Sequence, residues 1–253
     1  MVRPTRAVTT ATITAARAAW TGLGVHPLEL RLDNTLENGQ CFGWRRQPGD
    51  EPVWVGVLGE HVLALCQTED DCMFRCVGGP AVAARDAAAA AAEEAAIVTQ
   101  LRDYFQLDQP LRPLYAGWAA ADRRMAAVVE VVPGMRVLRQ DPAECLFSFI
   151  CSSNNNIGRI GGMLQNLRAM YGTPIPTVDA PVGAPAEAEA EAEAERYYTF
   201  PSVQRLAAAS DAELRSLGMG YRADYIRRIA ELEGQVVELQ PVDESVVPVD
   251  AQV

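Results

Sequence analysis

The chain has no lysine. All 22 of its basic residues are arginine. A guanidinium stays protonated, so side-chain amine chemistry is excluded. Histidine is scarce: only His26 and His61 occur, and neither sits in a nucleophilic triad pattern. No apolar run approaches the roughly 18 residues that span a bilayer, so no membrane association is expected. The six cysteines, at 41, 66, 72, 76, 145 and 151, lack the paired CxxC spacing of a zinc site. Cys66, Cys72 and Cys76 with His61 nearby are the one grouping with metal-binding chemistry. Alternating strands explain the same residues, so no metal and no other cofactor is expected. Cys145 and Cys151 fall in an apolar helix of a long chain, which suits reduced thiols.

What is present begins with acid. The formal net charge is −11 over 253 residues, which at first argues against a polyanionic partner. The excess is local. Residues 187–195 hold five Glu and residues 231–253 hold six acids, neither segment with a basic residue. Without those eleven, 22 acids face 22 arginines, so the body is neutral and has room for a basic face. Before Glu29 there is no acid, while Arg3, Arg6 and Arg17 stand among Ala and Thr. Residues 1–27 read as an organellar transit peptide or a disordered arm.

From Leu28 to Gly79 the pattern is that of strands. LELRLDNTL alternates, and CFGWRR, PVWVGVL, HVLALCQT and CMFRCV follow, separated by the turn chemistry of ENG, QPGD, LGE and TEDD. An antiparallel meander over 28–92 is expected, with residues 80–96 an Ala-rich insertion or helical lead-in. The helical period starts at Glu93. Ile97, Leu101, Tyr104 and Phe105 share one face, as do Met125, Val128, Val129 and Val132. Asp141-Pro142-Ala143-Glu144 reads as a capping box with proline at the first helical position. It opens the nearly all-apolar CLFSFIC, expected to be buried. Residues 180–195, APVGAPAEAEAEAEAE, are low complexity and read as a solvated insertion within a helical domain over 93–233. Ser210-Asp211-Ala212-Glu213 is a second capping box, and 234–253 is an irregular acidic tail. A β-rich front and a helical rear make the chain α+β.

Three constellations could carry chemistry. SSNNNIGRI at 152–160 places three adjacent Asn after an apolar helix. They are interhelical caps, or amides presented at a cleft beside Arg159. GYRADY at 220–225 offers Tyr221 as a flat wedge and Arg222 as a fork of donors, or is an ordinary helix start. NGQCFGW at 38–44 contains the hairpin-type Asn-Gly.

Together these segments resemble the 8-oxoguanine DNA glycosylase/AP lyase family of the helix-hairpin-helix glycosylase superfamily. The resemblance rests on NGQCFGW, YFQLD at 104–108, LRQDPAECLFSFICSSNNNIGRI at 138–160, FPS at 200–202 and LGMGYRADYI at 217–226. It runs in order across residues 28–230. It implies a monomeric enzyme of base excision repair acting on double-stranded damaged DNA, in the nucleus or mitochondrion. Such an enzyme flips an oxidised guanine out of the helix and reads the orphaned cytosine. By motif, Arg159 and Arg222 match donors to that cytosine. Asn154 matches the amide filling the gap, Tyr221 the wedge, and Gly39 the glycine whose carbonyl reads the damaged base. Oxidation turns guanine N7 from an acceptor into an N–H donor, so a backbone acceptor distinguishes the two bases.

The departures are specific. The family follows its GYR helix with a helix-hairpin-helix and a catalytic lysine that forms a Schiff base with the sugar. Here the chain passes directly to VPVD at 247–250. Asp250 matches the catalytic aspartate by motif, with Gln252 where the family has histidine. The resemblance therefore implies a helical domain incomplete at its C-terminal side and a chain inactive in lysine chemistry. The alternatives are a non-catalytic module for damaged DNA or a repair partner, and an unstable fragment.

Overall fold

Alternation along 53–78 builds three long strands. In a computed structural model that describes residues 20–80, 87–177 and 196–236, these are β3 (Val53–Leu58), β4 (His61–Gln67) and β5 (Cys72–Gly78). Leu58 pairs with His61 across a two-residue Gly59-Glu60 turn. Gly59 there has φ +60°, as the tight hairpins that match strand twist require. The edge strand β2 (Trp44–Arg46) precedes them. A short β1 (Thr21–Gly22) completes an antiparallel sheet of order β1-β5-β4-β3-β2. The expected meander is therefore present, with β1 added from the segment assigned to the N-terminal arm. The Asp71 carboxylate draws that segment in, accepting from the backbone N–H of Gly24 at 3.1 Å and Val25 at 2.7 Å.

LELRLDNTL is not a strand. Leu32–Leu36 is a helical turn, α1. Leu32 and Leu36, one turn apart, are both buried there, as is Leu30 before the helix. Asp33 and Asn34 disfavour a strand, and the leucines reach one core without alternating faces. Asn38-Gly39 follows a helix instead of a strand, so it is no hairpin.

The helical part starts earlier than Glu93. α2 spans Ala87–Tyr104, because alanine is the strongest helix former and extends the periodic segment backwards. Ile97, Leu101, Tyr104 and Phe105 are buried as expected, and they join the sheet's own core with Leu63, Leu65 and Phe74. A boundary at residue 92 thus falls inside a helix that packs with the sheet.

α3 (Leu111–Ala121) and α4 (Arg123–Val131) form a hairpin. Asp122 caps α4 by accepting from the N–H of Arg124 and Met125. The apolar face expected there is not buried: Val128 is 47% exposed and α4 contributes no buried residue.

The second core joins α5 (Pro142–Ser152), α6 (Ile157–Tyr171), α7 (Val203–Ala207), α8 (Asp211–Ser216) and α9 (Arg222–Val236). Asp141 caps α5 with Pro142 at its first position, but the box is not reciprocal: Glu144 turns to Arg168 on α6. In α5, Phe147, Ser148 and Cys151 are buried, whereas Phe149 is 46% exposed. An apolar sequence all round the helix is thus buried on one side only. The Ser210–Glu213 capping box is complete. Between α6 and α7, β6 (Pro174–Ile175) pairs with β7 (Tyr197–Tyr198).

The arm to residue 19, the repeat at 180–195 and the tail from 237 lie outside the described residues, and Asp250 with them. Among the described residues no helix is long and apolar enough to cross a membrane.

Candidate functional site

The loop between α5 and α6 is built by its own side chains. Asn155 donates to the Cys151 carbonyl at 3.0 Å and lies 3.2 Å from the Met163 sulfur. Asn156 caps α6, accepting from the Arg159 N–H at 3.0 Å. Two of the three asparagines are therefore local caps. Asn154 is different. It has φ +47°, a left-handed conformation that asparagine tolerates better than most residues. Its side chain is exposed. Arg159, the third residue of α6, is also exposed.

α9 holds this loop from below. Gly218 and Gly220, with φ +86° and +56°, turn the chain into the helix, and Met219 between them is fully buried against Cys151. Tyr221 then donates to the Ser153 carbonyl at 3.1 Å while staying 49% exposed. Arg222 is only 3% exposed. Its Nη2 donates to the carbonyls of Ser153 and Asn154, and its guanidinium stacks 4.6 Å from the Tyr221 ring. Its Nε is buried without a hydrogen-bond partner. Tyr225 meets Tyr221 edge to face, with ring centroids 6.4 Å apart, so an exposed aromatic pair flanks the loop.

Gly39 comes to the same surface from the sheet side. Its φ is +85°, and an added Cβ would sit 3.5 Å from Ile157 Cδ1 at the start of α6. The conformation, not lack of space, requires glycine here. Phe42 and Phe149 make a second bridge, edge to face at 6.1 Å. Sequence reasoning missed the residue that fixes this loop. Gln40 donates to the carbonyls of Thr35 at 2.9 Å and Arg136 at 2.8 Å, and accepts from the Leu138 N–H at 3.0 Å. Only its place beside the Asn-Gly pair could have drawn notice. Gly39 thus meets the start of α6 at Ile157, and Tyr221 and Arg222 hold the Asn154 loop through Ser153, with Arg159 exposed on α6 nearby in sequence; Asp250 lies outside the described residues.

The cysteines are all free thiols. Burial pushes Cys41 up to about 12 and Cys151 up to about 11, far from the thiolate form that reacts or binds metal. Among the described residues no three His, Cys, Asp or Glu side chains converge as a metal site. His61 instead faces Glu93 at 3.3 Å. Glu144 is pushed above the usual carboxylate range by burial, although Arg168 opposes the shift.

Comparison with known proteins places these residues in context. Residues 23–146 match the family described as 8-oxoguanine DNA glycosylase, N-terminal domain. Residues 147–253 match the HhH-GPD superfamily of base excision DNA repair proteins. The N-glycosylase/DNA lyase OGG1 of Arabidopsis thaliana is 31% identical over 208 residues, covering 82% of this chain and 49% of the relative. The N-glycosylase/DNA lyase of Saccharomyces cerevisiae is 32% identical over 219 residues, covering 81% and 50%. The chain thus spans about half the length of these relatives. Apo 8-oxoguanine glycosylase/lyase from Clostridium acetobutylicum superposes with TM-score 0.66 at 23% identity, over 84% of this chain and 63% of that one. MBOgg1 in complex with a low-affinity DNA ligand gives 0.65 at 23% identity, over 85% and 62%. These likenesses establish a shared α+β fold.

Proposed function

The chain belongs to the 8-oxoguanine DNA glycosylase family, and from that premise we propose that it recognises oxidised guanine paired with cytosine in duplex DNA, for base excision repair. The observation that carries this reading is at Arg222. A guanidinium buried to 3% exposure keeps one N–H, on Nε, without an acceptor. It lies beneath a loop whose Asn154 side chain is exposed in a left-handed turn. A buried unpaired donor is costly, and an incoming base with ring and carbonyl acceptors would satisfy it. An orphaned cytosine offers two acceptors and one amino donor. Arg222 and Arg159 supply donors, and the Asn154 amide oxygen accepts from the amino group. Tyr221 and Tyr225 present faces for stacking against neighbouring bases. The Gly39 carbonyl accepts the N7–H that only the oxidised base carries.

The reaction proposed for the family pattern is glycosidic cleavage with strand scission. Asp250 is its carboxylate by motif. The Schiff-base step needs an amine, and none of the 253 residues is lysine. The proposed role of these residues is therefore lesion reading without a lysine adduct. The protein is proposed to act as a monomer in the nucleus or mitochondrion.

Duplexes containing 8-oxoguanine or guanine opposite cytosine test the reading by fluorescence anisotropy. Tighter binding of the damaged duplex supports it; equal affinity sinks it. Borohydride treatment is expected to trap no covalent complex, and an adduct mapped to an internal residue would overturn the lysine-free part.

A further inference from the structure

Residues 41–44 run along the seam between the two cores. Cys41 is buried in the core of the sheet, Phe42 packs against the helical core, and Trp44 returns to the sheet. There Trp44 donates from Nε1 to the Tyr104 hydroxyl at 3.0 Å. Gly43 is the step between, and what meets it is an ion pair. A Cβ added at Gly43 would stand 3.3 Å from Arg168 Nη2 and 3.4 Å from Glu144 Oε1. A side chain there would press on the pair, whereas glycine lets the pair close on the backbone. Glu144 stands in the first turn of α5 and Arg168 in the last turn of α6. Both side chains are largely buried, and the Arg168 guanidinium also lies 5.4 Å over the Phe200 ring. Such a pair resists separation, because either partner left alone is a buried charge. Just ahead of α5, Gln140 donates to the Gln40 carbonyl at 2.7 Å. The helical side therefore grips the Gly39 segment at two points, Gln40 and Gly43.

We propose that Glu144 and Arg168 are positioning residues for damaged-base discrimination: their ion pair latches the crossing at Gly43 and so sets where the Gly39 carbonyl stands. The link to discrimination rests on the lesion-reading function above. Gly39 precedes Gly43 by four residues, a span of at most about 14 Å. α5 and α6, which carry the pair, are joined by the loop that holds Asn154. The latch therefore fixes the Gly39 segment against the two helices that present Asn154. Several groups surround the Glu144 carboxyl: Arg168 from α6, Tyr104 from α2, Cys41 from the crossing, and Asp141 and Cys145 from α5. Glu60 and Asp141 line one cleft with it. Burial pushes this carboxyl above its usual range, although Arg168 opposes the shift. As pH falls through the raised value the carboxylate is neutralised. The latch is thus complete above that transition and loosened below it.

The test compares the full chain with E144Q, R168M and the charge-keeping R168K, each checked by thermal melting. The Gly39 amide resonance is followed by NMR and the damaged-to-intact affinity ratio by anisotropy, both over a pH series. E144Q and R168M are expected to shift the Gly39 resonance and to lower the ratio several-fold, with intact-duplex affinity kept. R168K should stay close to wild type. In the wild type, resonance and ratio should change together as pH falls through a transition above the ordinary carboxylate range, and E144Q should lack that transition. A pair that only adds stability would lower the melting temperature and leave the Gly39 resonance, the ratio and the pH profile as in the wild type; that result overturns the proposal. Where the substituted chains do not fold, the wild-type titration decides, and a Gly39 resonance without such a transition overturns the proposal. Equal wild-type affinity for both duplexes would defeat lesion reading alone, because the Gly39 resonance still decides the latch.

Discussion

The guanidinium of Arg222 donates to the backbone carbonyls of Ser153 and Asn154, 69 and 68 residues earlier in the chain. Through this contact the first residue of α9 sets the shape of the loop that ends α5. The loop's stability and its proposed recognition role therefore share one side chain.

Replacing Arg222 by Ala is expected to lower unfolding stability by about 1–3 kcal/mol, because carbonyls lose a charged donor. Damaged-duplex selectivity should fall with it. Chemical denaturation and anisotropy on the same preparation check this. A variant with normal stability and abolished selectivity would show that Arg222 reads the base without supporting the loop.

Asn154 separates backbone from side chain. Its φ of +47° suits glycine, so Asn154→Gly should keep the melting temperature while weakening discrimination for cytosine opposite the lesion. Asn154→Ala adds a left-handed strain of about 1–2 kcal/mol. Equal melting temperatures for the two variants would contradict the strained geometry.

Gly39→Ala should lower stability by a similar amount, about 1–2 kcal/mol, from its positive φ. It should also shift the carbonyl proposed to read the damaged base, reducing the damaged-to-intact binding ratio. An unchanged ratio would remove Gly39 from recognition.

The Ser210 N–H and hydroxyl hold the Glu213 carboxyl below the usual carboxylate range. A depressed folded value stabilises the protein above the ordinary carboxylate pKa, and that contribution disappears as pH falls through the folded value. Ser210→Ala removes the hydroxyl and should move the Glu213 titration part of the way back up. Carboxyl-detected NMR across the acid range measures it; an unmoved titration would show that the hydroxyl plays no part.

Much of this is legible in the residues. β3, β4 and β5 follow from alternation and turn residues, and the buried stripe of α2 from its helical period. Asn155 and Asn156 behave as the local caps their chemistry suggests. α1 passes for a strand because Leu30 and Leu32 alternate for two steps, too few to tell a strand from a turn and helix. β1 depends on the Asp71 carboxylate, far along the chain, and carries no local pattern. The exposure of Val128 and Phe149 depends on which neighbours cover a helix, which a hydrophobic period does not record. At the site, Asn154, Arg159, Tyr221 and Arg222 are assigned by motif, and the structure shows that Tyr221 and Arg222 brace the loop that carries Asn154. The bracing by Gln40 leaves no signal because its partners, Arg136 and Leu138, are 96 and 98 residues away.

The two-stranded ladder of β6 and β7 brings Ile175 opposite Tyr197, so everything between them leaves and returns at one place. An excursion with its ends clamped is nearly indifferent to its length, since each doubling costs only about 0.6 kcal/mol in closure entropy. A change in the number of residues between Ile175 and Tyr197 is therefore expected to cost little as long as the β6–β7 pairing holds. The same clamp makes this position a tolerant graft point for a reporter tag or a second domain.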